Sequence, residues 1–176
     1  MQHNCFAGSV HDQFCPLKLS VRLADFSGNV VFQPFYIFFG LDKLRPPLAD
    51  DGVYWMPPEP SHTTWDGMPA IFAEDKNLMT VRMKRVLHPD AWSQRPQWGT
   101  NHVVGNVVIE KQSPNGDIVV RSRFHMMELR RDDVRHFAGS YLHHLKKTKD
   151  GYRIKLQRVD MTNAQSAYDY VLQVWV

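Results

Sequence analysis

Nine histidines make a metal site the first chemistry to test in this sequence. The nearest approach to the two-histidine, one-carboxylate triad of non-haem iron is Asp133, His136 and His143. If residues 137–145 form a strand, His136 and His143 are an odd number of residues apart and point to opposite faces. The spacing therefore favours solvated or interfacial histidines, and we expect no metal in this chain.

Two cysteines and two histidines near the N-terminus are the other nominal metal ligands, and these are His3, Cys5, His11 and Cys15. Their order, His-x-Cys followed by His-x3-Cys, matches no familiar zinc signature. A Rieske iron–sulfur cluster needs two cysteines and two histidines that converge, and the spacing is wrong for that as well. Two cysteines are too few for a disulfide framework, so we expect free thiols in a reducing compartment.

Acid–base chemistry in a pocket is the second type of chemistry to test, and its candidates are Asp51, Tyr54, His62 and His102. Each also has a structural explanation, as a turn former, a core aromatic, a loop residue and a strand residue respectively. The sequence contains no Gly-x-Gly-x-x-Gly motif, no Walker-type phosphate loop and no Gly-x-Ser-x-Gly elbow. The four candidates leave an alternative function open. It is a stand-alone pocket enzyme, such as an isomerase or dehydratase, or a small-ligand-binding module.

A basic stripe is predicted on one strand, in which Arg121, Arg123 and His125 alternate with apolar or small residues. Two interpretations stay open. The stripe is a contact surface for an acidic partner, or its arginines pair across strands with Glu110 or Asp160. Alternation alone does not separate the two.

The loop at residues 88–99 combines large aromatic residues with an arginine. Such side chains are enriched at protein interfaces, which makes this loop a second candidate contact. The residues expected to contact another subunit are Trp92, Arg95, Trp98, Arg121, Arg123 and His125.

Strands that turn sharply into one another must position these side chains. The sequence predicts four long strands, at residues 100–110, 118–129, 137–145 and 152–159. Residues that tolerate positive φ separate the first two at 114–117 and the last two at 149–151. An antiparallel meander is therefore expected.

Elements outside the meander are fewer. A helix is predicted from Lys76 to about Leu87, capped by Asp75, with Met79 on its apolar side and Arg82 facing elsewhere. A short aromatic strand is predicted at 53–56, followed by a proline-rich loop. The apolar residues 171–176 are expected to dock, either by closing the sheet or on a partner. A helix followed by a meander indicates an α+β domain.

Composition sets broad limits on the function. The 176 residues are 43% hydrophobic and 22% charged, as in an ordinary globular protein of about one domain. Lys and Arg number 21 against 18 Asp and Glu, a net charge of +3 without a like-charge block, so nucleic acid is not an expected partner. We find no apolar run long enough for a membrane span and no signal peptide, so a cytoplasmic protein is expected.

From about residue 48 onward the sequence resembles the small (beta) subunit of bacterial aromatic-ring-hydroxylating dioxygenases. Several motifs occur in the family's order. These motifs are Asp50-Asp51-Gly52-Val53-Tyr54-Trp55-Met56-Pro57, the helix with Arg82 and Arg85, the loop from Trp92 to Pro96, Thr100-Asn101-His102-Val103-Val104-Gly105-Asn106-Val107, Val120-Arg121-Ser122-Arg123-Phe124, Gly139 with Tyr141, and Gly151-Tyr152-Arg153-Ile154 through Arg158.

The resemblance implies a cystatin-like or NTF2-like α+β cone, with a curved antiparallel sheet wrapped around N-terminal helices. It also implies a non-catalytic role in assembly with a large (alpha) subunit, as an α3β3 hexamer. The large subunit would hold the Rieske [2Fe-2S] cluster and the mononuclear iron, and the complex would cis-dihydroxylate an aromatic compound. This chain alone would then have no active site, and the large subunit would mainly select the substrate.

The N-terminal part departs from the family, which opens with amphipathic helices. We expect two parts, an atypical segment at residues 1–47 and the NTF2-like beta-subunit domain at residues 48–176. A shifted reading frame or a misplaced start is the hypothesis for the first part. Translation of the gene in its other frames tests it, because an amphipathic helix should then emerge.

Overall fold

The chain divides into two units, Met1–Pro46 and Pro47–Val176, in the computed structural model. In the first unit, strand β1 (Ser20–Ala24) pairs antiparallel with strand β2 (Val30–Pro34). The four nominal metal ligands near the N-terminus lie outside the described residues. The structure describes residues 20–24, 30–34, 48–85, 88–96, 98–168 and 170–176.

In the described residues of the second unit, the elements form a six-stranded mixed sheet with one α-helix. Its elements are β3 (Leu48–Met56), β4 (Phe72–Asp75), α1 (Lys76–Arg85), a short 3-10 helix (Trp92–Gln94), β5 (Gly99–Gln112), β6 (Ile118–Arg130), β7 (Asp133–Thr148) and β8 (Gly151–Met161). The strand order is β4-β3-β8-β7-β6-β5. Strands β5 to β8 form the predicted antiparallel meander, and β3 adds a parallel pairing with β8 that the sequence did not indicate.

Local turn chemistry explains the meander. Gly116, with φ of 88°, turns β5 into β6, and the Ser113 N–H donates to the Asp117 carbonyl across the turn at 2.8 Å. Gly151, with φ of 109°, follows the turn between β7 and β8. Glycine adopts these left-handed conformations without the steric cost of a Cβ atom. Both predicted reversals are therefore confirmed.

Two register shifts interrupt the pairing of β5 with β6. They fall between Gly105 and Val108 and between Ile109 and Lys111. The second leaves Glu110 without an opposite residue, as the extra residue of a bulge does. The bulge changes which side chains of β5 face outward. Glu110 therefore does not lie on the face that strict alternation from the turn would predict.

Helix α1 begins where the sequence predicts, because the Asp75 carboxylate accepts the Leu78 N–H at 2.8 Å. Met79 is buried as expected. The prediction that Arg82 faces away from the core is wrong: its Nε donates to buried Glu74 at 2.7 Å. Glu74 belongs to β4, a strand that the sequence did not reveal within the expected loop.

The sheet has two faces with different environments. Along β6, even-numbered side chains such as Phe124 and Met126 are buried, whereas Arg123 and His125 are exposed. We call the first side the inner face and the second the outer face. The register places Tyr141 of β7 opposite Ser122, and therefore on the inner face.

The C-terminal residues close part of the inner face without forming a strand. Val174, Trp175 and Val176 are buried. The Trp175 indole N–H donates to Glu74 at 2.9 Å, and the Tyr54 hydroxyl donates to the Val176 carbonyl at 3.2 Å. The segment therefore docks on its own unit. No helix in the described part of the chain is long and apolar enough to cross a membrane.

Candidate functional site

A loop of the same unit, which contains Pro60 and His62, covers the part of the outer face that β3 and β8 form. The Arg158 guanidinium lies 4.5 Å from the ring centroid of Trp55 and donates to the carbonyl oxygens of Pro60 and His62 at 2.8 and 2.7 Å. Arg158 also binds the Asp160 carboxylate at 2.7 Å. This arginine holds the loop over the β3 and β8 part of the sheet.

Most outward side chains of β5, β6 and β7 are exposed, although Ser140 is buried. We call these outward side chains the open face. Its large apolar members are Val103, Val108, Leu129 and Val134, which are 62, 57, 40 and 51% exposed. Leu129 and Val134 are opposite each other in the β6–β7 register. Grouped apolar exposure of this kind marks an interaction surface more often than scattered single residues do.

The predicted basic stripe lies on the open face, but its two arginines have different surroundings. Arg121 pairs with Glu110, its Nη2 donating to Glu110 Oε2 at 3.1 Å, and this contact lowers the pKa of the Glu110 carboxyl. Arg123, between Gly105 and Ser140 in the register, forms no ion pair among the described residues. Cross-strand pairing, one of the two interpretations of the stripe, therefore describes Arg121.

Two histidines pair on the open face. His136 Nδ1 lies 3.2 Å from His125 Nε2, and the ring centroids are 5.1 Å apart. The two ring planes are inclined by 28°, so the rings also stack on each other.

The 92–98 loop contributes two different tryptophans. Trp92 is 80% exposed and Arg95 is also exposed. Trp98 is half-buried, donates its indole N–H to the Ser93 carbonyl at 3.2 Å, and packs 5.6 Å from the Tyr170 ring. Among the predicted contact residues, Trp92 and Arg95 are thus available to solvent, whereas Trp98 supports the loop.

An arginine–aromatic cluster beneath this loop was not predicted. Glu128, only 1% exposed, accepts from Arg135 Nε at 2.7 Å, and Arg135 Nη1 donates to the Tyr170 carbonyl at 2.8 Å. The Arg135 guanidinium lies 3.9 Å from the Tyr170 ring centroid, and that of Arg130 lies 4.4 Å from Trp98. Burial raises the pKa of Glu128, and the nearby guanidinium groups oppose that shift. The even, inward position of Glu128 in β6 was the sequence signal.

The four pocket-enzyme candidates do not form one constellation. Asp51 is exposed and pairs with Lys155, whereas Tyr54 is buried against the C-terminal segment. His62 belongs to the covering loop on the other side of the sheet. His102 hydrogen-bonds the Trp175 backbone, and burial lowers its pKa. The four side chains therefore have separate surroundings and do not form one acid–base pair.

The predicted separation of the iron-triad candidates is confirmed by the strand register. His136 is opposite Met127 on the outer face, whereas His143 is opposite Val120 on the inner face. Burial lowers the pKa of His143 to about 4. Within the described ranges, no three His, Cys, Asp or Glu side chains are grouped to hold a metal ion.

Comparisons with known proteins agree with this architecture. The family model described as "Ring hydroxylating beta subunit" matches residues 44–166. No curated protein sequence matches the chain significantly. A crystal structure of the benzoate 1,2-dioxygenase beta subunit from Burkholderia mallei is 21% identical, with a TM-score of 0.54 over 71% of this chain and 79% of that one. Naphthalene 1,2-dioxygenase with bound indole is 16% identical, with a TM-score of 0.55 over 66% of this chain and 65% of that one. The α+β, NTF2-like cone is thereby confirmed.

Proposed function

The chain belongs to the family of ring-hydroxylating beta subunits, and from this membership we propose that it is the non-catalytic assembly subunit of a multicomponent aromatic-ring-hydroxylating dioxygenase. Its partner is a large (alpha) subunit in an α3β3 hexamer. The complex acts in the catabolism of aromatic compounds in the cytoplasm and inserts dioxygen to give a cis-dihydrodiol. The observation that carries the proposal is the family match over residues 44–166, and the exposed apolar side chains of the open face support it.

Cofactors are assigned to the partner in this proposal. The Rieske [2Fe-2S] cluster and the mononuclear iron belong to the large subunit, and this chain contributes surface to the assembly. Two pairs of ligands must converge to hold a Rieske cluster. Cys5 and Cys15 lie outside the described residues, so the expectation that their spacing does not suit such a cluster stays a prediction.

The domain division forms part of the proposal. Residues 48–176 are the NTF2-like beta-subunit domain, and residues 1–47 are an atypical N-terminal segment. The family match at 44–166 supports the first assignment. The contact residues proposed for the large subunit are Trp92, Arg95, Trp98, Arg121, Arg123 and His125.

Co-expression with a Rieske-type large subunit from the same organism tests the assignment. We expect the two chains to co-purify as a hexamer whose mass is measured by light scattering, and we expect ring hydroxylation only from the complex. A chain that stays monomeric beside a folded large subunit would count against the assembly role. Turnover by the isolated chain, lost on His102→Ala or Asp51→Asn, would favour the pocket-enzyme alternative.

A further inference from the structure

Two histidines of the open face lie on neighbouring strands. In the register of β6 with β7, His125 is opposite Ala138 and His136 is opposite Met127, so the two imidazoles are diagonal neighbours. Diagonal side chains of this length are within reach of each other in an antiparallel sheet. The side chain opposite His125 is only a methyl group, so His136 can lean across towards it. The register thus brings together two metal-ligating groups that are 11 residues apart in the chain.

The facing atoms of this pair are both ring nitrogens. His136 Nδ1 lies 3.2 Å from His125 Nε2, whereas the ring centroids are 5.1 Å apart, so these nitrogens lie at the facing edges of the rings. Zinc–imidazole bonds are about 2.0–2.1 Å long, and two nitrogens on one tetrahedral ion are then about 3.3 Å apart. The separation of the two nitrogens therefore matches that of two ligands on a single ion.

Both side chains are exposed, which lets them adjust to an ion and lets water reach it. The torsion next to a histidine ring is broad, so a modest rotation of either ring points both lone pairs at one ion. Each facing nitrogen offers its lone pair when the ring proton is on the other nitrogen. No third His, Cys, Asp or Glu is grouped with the pair in the described ranges, so water supplies the remaining ligands.

We propose that His125 and His136 form a two-histidine binding site for a divalent transition-metal ion, of the class Zn²⁺, Ni²⁺ and Cu²⁺. Imidazole suits these ions, whereas Mg²⁺ and Ca²⁺ prefer oxygen ligands. The site is separate from the iron centres assigned to the large subunit and does not depend on the assembly role. Sequence spacing considered His136 with His143, which face opposite sides, so the proposal revises the expectation of a chain without metal.

The main alternative is a pair held only by a hydrogen bond and ring contact, which binds metal no better than two separate surface histidines. Chelation differs from this in a measurable way. Once one nitrogen holds the ion, the second binds it intramolecularly, and such linkage strengthens binding by about 100-fold to 10,000-fold. Loss of either ring alone should therefore remove the whole advantage.

Metal titration of the full chain tests the site. His125→Asn and His136→Asn are compared with His88→Asn, which removes an exposed histidine outside the pair. Each variant keeps the other histidines and both cysteines, so metal bound elsewhere contributes equally. Circular dichroism and the melting temperature without metal first show that the variants fold as the parent does. Binding of Ni²⁺ is then measured by isothermal titration calorimetry, on the isolated chain because His125 is also a proposed contact of the large subunit.

We expect the parent to bind one equivalent of Ni²⁺ more tightly than any further equivalent. Either substitution in the pair should weaken this equivalent by about 100-fold, and His88→Asn should leave it unchanged. Excess Mg²⁺ should not compete, and Cu²⁺ should bind more tightly than Ni²⁺ or Zn²⁺. With one equivalent of Cu²⁺, electron paramagnetic resonance of the parent should show coupling to two imidazole nitrogens.

Several results would overturn the site. These are an absence of Ni²⁺ binding by the parent, parent affinity in either pair variant, and equal losses in all three variants. A variant that loses only half of the bound metal would show two independent imidazoles and would overturn chelation. If the pair variants do not fold, the parent's resonance spectrum decides, because coupling to a single nitrogen contradicts the proposal. Each of these failures leaves the assembly role intact, since co-expression with the large subunit tests that role separately.

Discussion

Removal of the Arg135 guanidinium should strongly destabilise the second unit. Arg135→Met leaves the Glu128 carboxylate, 1% exposed, without the donor that now lies 2.7 Å away. Breaking a buried ion pair from one side costs about 3–5 kcal/mol, because one charge stays buried and uncompensated. Loss of the Tyr170 contacts adds to this cost, since the guanidinium also binds the Tyr170 carbonyl at 2.8 Å.

A double-mutant cycle isolates the ion pair from these other contacts. In Arg135→Met with Glu128→Gln the buried group is neutral, so the second substitution should recover part of the loss. Contacting residues of this kind typically couple by about 0.5–3 kcal/mol. The free energy of unfolding of the parent and the three variants is measured by urea denaturation, with matched m values as the control for two-state behaviour.

The loss of stability in Arg135→Met should depend on pH in a definite direction. Burial raises the pKa of Glu128 in the folded state, and Arg135 opposes that shift. Without Arg135 the folded pKa rises further above the unfolded value, so the folded state binds a proton more readily than the unfolded state. The cost of Arg135→Met should therefore be greatest above the raised pKa and shrink as pH falls through it. A loss below about 1 kcal/mol that does not change with pH would refute the buried ion pair.

Three further measurements test other parts of the second unit. A Cβ atom at Gly139 would overlap a backbone oxygen of the neighbouring strand, so Gly139→Ala should lower the melting temperature. A Cβ atom at Gly105 would have no other atom within 4 Å, so Gly105→Ala is the matched control and should barely change the melting temperature. Burial lowers the pKa of His143 from 6.5 to about 4. The stability that neutral His143 contributes is therefore present above pH 6.5 and lost as the pH falls towards 4. His143→Gln should flatten the acid-unfolding curve between these two pH values. Trp175→Phe leaves Glu74 without the indole donor at 2.9 Å and should lower the free energy of unfolding in urea by about 1–3 kcal/mol.

Most of the sheet was predictable because its signals are local. The turns at Gly116 and Gly151 and the alternation along β6 each depend on neighbouring residues. The parallel pairing of β3 with β8 joins residues about a hundred positions apart, for example Tyr54 and Gln157, and no local pattern reports it. Strand β4 was missed for a different reason, because its four residues are too few to establish a period.

The site was predictable only in part, and the β5 bulge explains why. The pairs Gln112 with Ile118 and Lys111 with Val119, continued without a shift, would put Glu110 opposite Val120 and on the inner face. The register shift between Ile109 and Lys111 removes Glu110 from the count. Its carboxylate then reaches Arg121. Sequence alternation therefore found the stripe but had no means to distinguish a paired arginine from an unpaired one.

The two faces of the sheet differ in how their polar groups are engaged, and this difference fits the proposed assembly role. On the inner face, Glu74 is held by Arg82 and Trp175, and the Tyr54 hydroxyl is engaged by Val176, so these groups are committed to holding the unit together. A general acid or base needs a proton that it can exchange with a substrate, whereas these three groups are engaged in contacts within the unit. The open face has the opposite character, because its side chains are exposed and its cation at Arg123 is unmatched. The named groups of the inner face are therefore held in contacts within the unit, whereas the open face offers exposed side chains to a partner.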